Sequence, residues 1–349
     1  MAVVQDVMRR GAYILQKDLE QFEKNLENFL QVRHAFGVAD GTNALVLCLR
    51  AAGIGTGDEV VMSSHTYVAT AAAAHLVGAK PVLVECGPDH MIDTNAVRQA
   101  VNDKTKVIMP TQLNGRTCDM DAVQGIADDH GLIVVEDAAQ ALGSRYNGRH
   151  AGTFGLAGTF SFYPAKLLGC FGDGGAIVTN DEDIARKISL LRDHGRNEEG
   201  EVVTWGTNCR LDNMQAAVLD WKLQRFEKDI ARRREIAAMY HNSLKEIPEL
   251  ILPPGPNEAD KHFDVYQNYE LECEKRDALK TYLQERGVGT LIQWGGKAVH
   301  QLQGLGFEGL SLPVTEKMTS RFLMLPMHTA LTDGDIDYIC RCIHQFYGS

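Results

Sequence analysis

The sequence predicts an α/β protein with a mainly parallel central sheet and helices on both of its faces. Short apolar runs with the length of buried strands recur along the chain, at 59–62, 81–84, 106–109 and 132–135. Helical stretches separate these runs, at 66–77, 93–101 and 119–130. Short buried strands that alternate with helices form a parallel sheet covered on both faces. Ligands of such sheets bind beyond the carboxyl ends of the strands, so we searched there for site residues.

The remaining elements follow from hydrophobic spacing and helix stop signals. Segment 16–30 places one apolar stripe on a helical face, formed by Leu19, Phe22, Leu26, Phe29 and Leu30. The turn D-G-T-N-A-L leads into a helix that ends near Arg50, and 211–244 reads as one long helix or two consecutive ones. Prolines then stop the helical pattern, at 248, 253, 254 and 256.

The sequence after these prolines has a different order of secondary-structure elements. It predicts a strand over 266–271, a helix over 276–286, a glycine-rich stretch near 295–309 and a final helix over 332–346. We therefore expect a large α/β domain over 1–240 and a smaller C-terminal α+β domain over 241–349.

Composition excludes several classes of function. The 349 residues carry 35 basic and 46 acidic side chains, a net charge of −11 with no basic run, which disfavours nucleic acid as a partner. No apolar stretch approaches the ~20 residues of a spanning helix, so no membrane partner is expected. The first residues lack a signal-peptide core, and eight cysteines in a chain of this size indicate reduced core thiols, so we expect a cytoplasmic location. No His/Cys/Asp cluster has metal-ligand spacing, so we expect no metal.

Three strand-end motifs carry the candidate chemistry. In V-V-E-D-A-A-Q-A an apolar strand delivers Asp137 to its carboxyl end, where a carboxylate needs a cationic partner or serves as a helix cap. In F-S-F-Y-P-A-K, Lys166 follows Ser161 among aromatic and small residues, and desolvation there would lower the pKa of its amine. In D-G-T-N-A-L, Gly41 and Thr42 begin a helix whose free N–H groups can hold a phosphate or simply be capped.

Together the three motifs fit pyridoxal 5′-phosphate. The strand-end carboxylate would pair with the protonated pyridine nitrogen, the lysine would form the Schiff base, and Ser161 and Thr42 would anchor the phosphate. A dinucleotide site is a poorer reading, because G-I-G-T-G-D at 53–58 lacks the last glycine of that fingerprint and follows a helix.

Seven motifs resemble the DegT/DnrJ/EryC1/StrS family of sugar-nucleotide aminotransferases. They occur in the family's order over nearly the whole chain: G-T-N-A-L, S-S-H-T-Y-V-A-T, E-D-A-A-Q-A-L-G-S, F-S-F-Y-P-A-K, G-D-G-G-A-I-V-T-N-D, N-C-R-L-D-N-M-Q-A-A and L-P-M-H-T-A-L-T-D. The resemblance implies the type I aminotransferase fold and a homodimer with active sites at the subunit interface. It also implies that a nucleotide-linked keto-sugar becomes an amino-sugar, with L-glutamate as the donor.

The resemblance also assigns residues. Lys166 looks like the Schiff-base lysine and Asp137 like the pyridinium partner, while Gly41, Thr42 and Ser161 match the phosphate-binding positions. Further residues match cofactor- or substrate-binding positions of the family: Tyr67 on the ring face, Gln140 beside the ring, and Asn208 and Arg210 at the neighbouring subunit's site. Tyr67 could instead be core packing, and Asn208 could cap the next helix.

Two departures from the family pattern affect the expected substrate contacts. Relatives usually have a further segment before the G-A-Y-I-L stretch, and this chain has only ten residues there. Relatives also carry a His-Tyr-Pro-type stretch where this chain has Q-W-G-G-K, so we expect Trp294 and the retained His300 to approach the sugar instead. Sugar dehydratases of the family replace the lysine by histidine, which Lys166 excludes here. A non-catalytic regulatory or binding descendant of the fold remains the alternative.

Overall fold

The computed structural model describes residues 2–257 and 261–348 of the chain. The strands in chain order are β1 (His34–Val38), β2 (Glu59–Ser63), β3 (Lys80–Val84), β4 (Thr105–Ile108), β5 (Ile133–Asp137), β6 (Arg145–Tyr146), β7 (Arg149–His150), β8 (Ala157–Ser161), β9 (Gly175–Thr179), β10 (Leu250–Ile251), β11 (His262–Phe263), β12 (Tyr269–Cys273) and β13 (Phe322–Leu325).

The helices in chain order are α1 (Ala2–Arg10), α2 (Lys17–Leu30), α3 (Gly41–Ala51), α4 (Val68–Leu76), α5 (Thr94–Ala100), α6 (Met120–His130), α7 (Glu182–Arg192), α8 (Asn213–Leu223), α9 (Phe226–Leu244), α10 (Arg276–Gln284), α11 (Pro313–Thr319) and α12 (Asp333–Tyr347). Short 3-10 turns lie at Gln293–Gly296 and Val299–Gln301, within the glycine-rich stretch.

The central sheet has seven strands in the order β1-β9-β8-β5-β4-β2-β3. Five strands, from β8 to β3 in this order, pair in parallel, and β9 runs antiparallel to both of its neighbours. The predicted mainly parallel sheet is therefore confirmed. The four predicted apolar runs correspond to β2, β3, β4 and β5, because each run is a buried strand between crossover helices.

Buried apolar side chains cover both faces of this sheet. On one face α3 and α4 bury Leu45, Leu49 and Ala73 in a core shared with Val60. On the other face, the α2 stripe predicted from the sequence lies in a core shared with Phe160. Leu19, Phe22, Leu26 and Leu30 of this stripe are buried and Phe29 is half-buried. These two layers fix the strand ends relative to the helices that follow them.

The C-terminal part of the chain has its own sheet and its own core. Strands β10, β12 and β13 form an antiparallel sheet that packs on α9, α10 and α12. Helix α9 belongs to both parts, because Phe226 and Ile230 join the core of the large sheet whereas Tyr240 and Leu244 join the C-terminal core. The predicted domain boundary at 240 lies inside this helix and stays a prediction.

Two expectations for the C-terminal half are refined. The helical pattern over 211–244 is two helices, α8 and α9, separated by a break at Gln224–Arg225. The strand predicted over 266–271 begins three residues later, because Tyr266 has a φ of 51° and cannot extend a strand.

The eight cysteines are free and buried, including Cys340 and Cys342 on α12. Within the described residues, no helix is long and apolar enough to cross a membrane. The same residues contain no group of three or more His, Cys, Asp or Glu side chains placed to hold a metal ion.

Candidate active site

The carboxyl ends of the parallel strands place most of the predicted site residues at one edge of the sheet. Asp137 ends β5 and Ser161 ends β8. The loop after β2 carries Tyr67. Gly175 also lies at this edge, because β9 runs in the opposite direction and pairs Gly175 with Ser161.

Gly41 and Ser161 form a shallow cradle of backbone and hydroxyl groups. A Cβ atom on Gly41 would lie 2.9 Å from the Cβ atom of Ser161, and one on Gly175 would lie 2.5 Å from the carbonyl carbon of Asp40. Only glycine permits this approach. Helix α3 begins at Gly41, and the amides of Gly41 and Thr42 have no partner within the helix, so their N–H groups can bind an anion; the Asn43 amide already donates to Asp40 Oδ1 at 2.8 Å. Thr42 is half-buried at the same helix end.

Asp137 is a buried carboxylate that accepts two hydrogen bonds. Its Oδ2 accepts from the Thr70 hydroxyl at 2.7 Å, and its Oδ1 accepts from the Ala139 amide at 3.2 Å. Burial raises the pKa of Asp137, whereas the two hydrogen bonds and the positive charge of Lys166 act against that rise. A carboxylate has room for about four hydrogen bonds, so Asp137 retains acceptor capacity.

Lys166 stands in a tight turn after β8, where its amide donates to the carbonyl of Tyr163 at 2.8 Å. Burial lowers the pKa of its ammonium group, and Asp137 partly opposes this. This lowering agrees in direction with the desolvated lysine expected from the sequence, and the role of Lys166 as the Schiff-base residue stays a prediction. A lowered amine pKa increases the share of neutral, nucleophilic amine.

Gln267 holds the peptide groups on both sides of Lys166. Its Nε2 donates to the Ala165 carbonyl at 2.9 Å, and its Oε1 accepts from the Leu167 amide at 2.7 Å. The side chain is buried, and it reaches Lys166 from the segment before β12. No local sequence pattern predicts this contact, because the two segments are about one hundred residues apart.

Tyr67 stands immediately before α4 with 55% of its surface exposed, so it is not core packing. Its ring centroid lies 6.3 Å from that of Trp294, at an interplanar angle of 39°. The ring centroid of Trp294 also lies 5.4 Å from that of His65, in a T-shaped arrangement. The two aromatic residues predicted for cofactor and substrate binding are therefore neighbours, and their roles stay predictions.

Gln140 is buried beside the loop that follows β4. Its Oε1 accepts a hydrogen bond from the Asn114 amide at 2.8 Å. The Asn114 side chain donates to Glu270 on β12 at 2.9 Å, so this contact links the site edge to the C-terminal sheet.

His300, which the sequence assigns to the substrate, is buried with both ring nitrogens in contact with polar partners. Its Nδ1 lies 2.7 Å from the Ser64 hydroxyl and its Nε2 lies 3.2 Å from Glu316. The amide of His300 also donates to the Ser64 hydroxyl at 3.2 Å. These contacts hold the loop that carries Tyr67, and a direct contact of His300 with the sugar stays a prediction.

Asn208 and Arg210 both contact Asp193, the residue that follows α7. Asn208 is exposed and forms an isolated β-bridge with Asp193. Arg210 makes an ion pair with the same aspartate at 2.8 Å, while its Nε is buried without a hydrogen-bond partner. The expectation that both residues serve a neighbouring subunit is not tested within one chain.

A cluster of charged residues lies where the large sheet meets the C-terminal sheet. His90 lies 3.7 Å from Glu270 and 3.2 Å from Glu272. Burial disfavours its positive charge, but the two glutamates outweigh burial and raise the pKa of His90 to about 9. Burial lowers the pKa of the neighbouring His65 to about 4, so His65 is neutral beside a charged His90.

Three threonines near Asp137 were also missed in the sequence. Thr66 lies in the loop after β2, Thr70 lies in the first turn of α4, and Thr111 follows β4. The available signal was the pattern T-x-x-x-T directly after a buried strand. Thr111 carried no local signal.

These residues fit pyridoxal phosphate on two structural observations. The cradle at Gly41 leaves no space for a side chain, which suits a phosphate bound by backbone amides and hydroxyls. Asp137 is buried, has spare acceptor capacity and faces one nearby amine, which suits a protonated ring nitrogen and a Schiff base.

Known proteins resemble this chain over nearly its whole length. The profile of the DegT/DnrJ/EryC1/StrS aminotransferase family matches residues 1–344. A pleiotropic regulatory protein of Geobacillus stearothermophilus is 38% identical over 351 residues, which cover 99% of this chain and 94% of that protein. The dTDP-3-amino-3,4,6-trideoxy-alpha-D-glucose transaminase of Streptomyces venezuelae is 41% identical over 330 residues, or 93% of this chain and 86% of that protein.

A solved structure also resembles the chain. It is that of S. venezuelae DesV in complex with a ketimine intermediate, with a TM-score of 0.95 and 38% identity over 100% of this chain and 94% of that chain. The likeness covers both the large sheet and the C-terminal part.

Proposed function

The chain belongs to the DegT/DnrJ/EryC1/StrS aminotransferase family, and from that premise we propose that it transfers an amino group to a nucleotide-linked keto-sugar. It is a pyridoxal-phosphate-dependent transaminase of the type I fold. The observation that carries the proposal is the combination of buried Asp137, half-buried Lys166, whose charges interact, and the cradle of Gly41 and Ser161. We propose L-glutamate as the amino donor.

The chain's own residues divide the work of binding the cofactor. The amides at the start of α3 and the hydroxyls of Thr42 and Ser161 would bind the phosphate. Tyr67 would cover one face of the ring, and Gln140 would lie at its edge. Asp137 would accept the hydrogen bond of the ring nitrogen and hold its proton at that atom. When bound, pyridoxal phosphate supplies an aldehyde that captures amines and a ring that accepts electrons.

Lys166 has two tasks at one atom. Its Nζ, with a pKa lowered by burial, would be available as a neutral nucleophile toward the aldehyde of the cofactor. As a free amine, the same Nζ would act as the general base and acid that moves the proton of the amino donor's α carbon, a role that contributes about 10²–10⁴-fold in rate. The turn at Tyr163 and the two hydrogen bonds of Gln267 hold the backbone from which the Lys166 side chain extends.

Spectroscopy with Lys166→Ala tests the proposal. The wild-type protein with added pyridoxal phosphate should develop a visible absorption band that changes when L-glutamate is added. Lys166→Ala should bind the cofactor without forming the covalent bond, and its transamination should fall by more than about 10²-fold. Lys228→Ala, at an exposed site on α9, is the matched control and should behave as wild type. An active Lys166→Ala protein would contradict the assignment.

Activity assays with a panel of nucleotide-linked keto-sugars would identify the substrate. Purified protein, L-glutamate and a set of keto-sugars linked to dTDP or UDP should yield one amino-sugar product and 2-oxoglutarate. NMR of the product then gives the aminated carbon and its stereochemistry. Failure with every keto-sugar, despite cofactor turnover with glutamate, would favour a regulatory descendant of the fold. The presence of both Lys166 and Asp137 supports an active enzyme over a regulatory descendant.

We further propose a cytoplasmic homodimer with shared sites. The eight free thiols suit a reducing compartment. Exposed apolar side chains lie on the segment that leads to Asn208: Val202, Val203 and Trp205, the last with 86% of its surface exposed. A second copy that covers this segment would bring Asn208 and Arg210 toward its own phosphate site.

Subunit exchange tests the shared sites. Lys166→Ala subunits and Asn208→Ala/Arg210→Ala subunits should each be nearly inactive, and their mixture should recover a fraction of wild-type activity. The recovery follows because one of the two sites in a mixed dimer is then intact. Proven mixed dimers without recovery would mean that Asn208 and Arg210 serve their own subunit.

A further inference from the structure

A string of three threonine hydroxyls ends on Asp137. The Thr111 hydroxyl lies 2.8 Å from that of Thr66, which lies 2.7 Å from that of Thr70, and Thr70 donates to Asp137 Oδ2 at 2.7 Å. All three side chains are buried, with Thr70 fully enclosed. The string joins the loop after β4 to the start of α4 and then to the end of β5.

The direction of the string follows from Asp137. An ionised carboxylate only accepts, so the single hydroxyl proton of Thr70 is committed to it. Thr70 must then accept from Thr66, and Thr66 must accept from Thr111. Every hydroxyl dipole therefore points toward Asp137. The opposite direction requires a proton on Asp137, so the direction of the string is tied to the ionisation of this one carboxyl group.

The surroundings of Asp137 offer few other hydrogen-bond donors, so the link between the string and the ionisation of Asp137 matters. The face of α4 near Thr70 is rich in alanine, with Ala71, Ala73 and Ala74 buried, so those side chains offer no alternative donor. The other partners of Asp137 are the Ala139 amide and the charge of Lys166. In such a low-dielectric setting, aligned hydrogen bonds polarise and strengthen one another.

We propose that Thr111, Thr66 and Thr70 are positioning residues that keep Asp137 ionised and fixed in rotamer, ready to accept the proton-bearing nitrogen of the cofactor ring. The proposal rests on the proposed use of pyridoxal phosphate. Thr70 acts directly on Asp137, whereas Thr66 and Thr111 act through it. Their effects on Asp137 should therefore decrease along the string, a gradation that three unrelated packing positions have no reason to follow.

The test replaces each threonine by valine and measures two properties of the full-length chain. The first is the pKa of the Asp137 carboxyl, read by ¹³C NMR of aspartate-labelled protein and assigned with Asp137→Asn. We expect Thr70→Val to raise it by about one pH unit or more, since a hydrogen bond to a charged group is lost. Thr66→Val and Thr111→Val should raise it by successively smaller amounts.

The second property is the dissociation constant of pyridoxal phosphate, measured by quenching of tryptophan fluorescence. We expect increases of about tenfold for Thr70→Val and about threefold for Thr66→Val, with Thr111→Val smaller still. Thr70→Ser, which restores the hydroxyl, should return both properties to near wild type. Thr105→Val is the control, because Thr105 is equally buried but accepts from Asn102 far from Asp137.

The outcomes separate the two proposals. A wild-type chain that does not bind pyridoxal phosphate overturns the proposed function. The positioning role is overturned if wild type binds pyridoxal phosphate but Thr70→Val changes neither the pKa of Asp137 nor the dissociation constant of the cofactor. It is also overturned if the three Thr→Val variants have equal effects. If Thr70→Val does not fold, the ordered comparison of Thr66→Val, Thr111→Val and Thr70→Ser decides in the same way.

Discussion

Glu136 and Asp137 are adjacent buried carboxylates on β5, and their side chains point to opposite faces of the sheet. Glu136 accepts four hydrogen bonds, from the side chain of Gln112 and from the amides of Gly152, Phe154 and Gly155. Asp137 accepts only two. A carboxylate has about four acceptor positions, so the first is saturated by the protein and the second is not.

The difference separates a structural carboxylate from one that is available to a ligand. Glu136 fastens the loop at 152–155 to the sheet, and no acceptor position is left over. Asp137 keeps about two acceptor positions at the edge where Lys166 and the Gly41 cradle lie. The same chemical group thus has two functions according to how fully the chain satisfies it.

The largest expected effect is on catalysis by Asp137→Asn. An amide cannot hold a protonated ring nitrogen, so turnover should fall on the order of 10³-fold while the unfolding temperature changes little. Steady-state kinetics and thermal unfolding of the same preparation give the two quantities. Unchanged turnover would mean that Asp137 only caps the segment that follows β5.

Glu136→Gln should show the reverse pattern. The amide group of glutamine faces N–H donors with another donor, which leaves buried amides unpaired, so the free energy of unfolding should fall by about 2–5 kcal/mol. Urea unfolding measures this loss. Activity per folded molecule should stay within a fewfold of wild type, and a selective loss of activity would erase the contrast with Asp137.

The charged cluster between the large sheet and the C-terminal sheet extends the comparison to Glu270 and Glu272, which contact the titratable side chain of His90. His90 has a pKa of about 9, raised above its ordinary value of 6.5, so it favours the folded state below pH 6.5 and this contribution is lost as pH rises through 9. It amounts to about 2–3 kcal/mol. Urea unfolding between pH 6.5 and 9.5 should show the decline in wild type and a flatter profile in His90→Gln.

His65 should act at the opposite end of the pH range. Its pKa is lowered to about 4, so it favours the folded state above pH 6.5 and this contribution is lost between pH 6.5 and 4. In a plot of unfolding free energy against pH, His65→Gln should therefore reduce the decline between pH 6.5 and 4 and leave the decline above pH 6.5 unchanged. Identical profiles for the two variants would mean that neither histidine controls the pH dependence.

The smallest expected effect belongs to Thr159→Val. The Thr159 hydroxyl donates to the backbone carbonyl of Glu136 at 3.1 Å and does not touch either carboxylate. Its loss should cost about 1 kcal/mol of unfolding free energy. Cofactor affinity should be unchanged, which would separate Thr159, paired with Asp137 only through the backbone of β8, from the threonines whose hydroxyls lead to the Asp137 carboxylate.

Local sequence patterns predicted the elements, whereas long-range contacts decide the details of the site. Strands β2 to β5 and helix α2 were predictable because burial imposes a period on neighbouring residues. Asp137 was predictable because it closes a strongly patterned strand, and Lys166 because it follows another one among aromatic and small residues. Their roles in the cofactor site required the resemblance to a family as well.

The supporting residues could not be predicted in the same way. Gln267 reaches Lys166 across one hundred residues, and the threonine string requires the loops after β2 and β4 to meet. His300 looked like a free ligand in the sequence because Ser64 and Glu316, which engage its ring, lie in distant segments. A side chain's chemistry is local, but its remaining hydrogen-bonding capacity is a property of the folded chain.

The eight buried thiols can serve as probes of local unfolding. Burial raises the pKa of Cys48 in the α3 core, of Cys118 beside the site loop and of Cys340 on α12, so each is unreactive while its surroundings stay closed. Alkylation by a maleimide then requires local or global unfolding. Mass spectrometry of partly labelled protein would rank these regions by how often they open, and added cofactor should slow Cys118 more than Cys340.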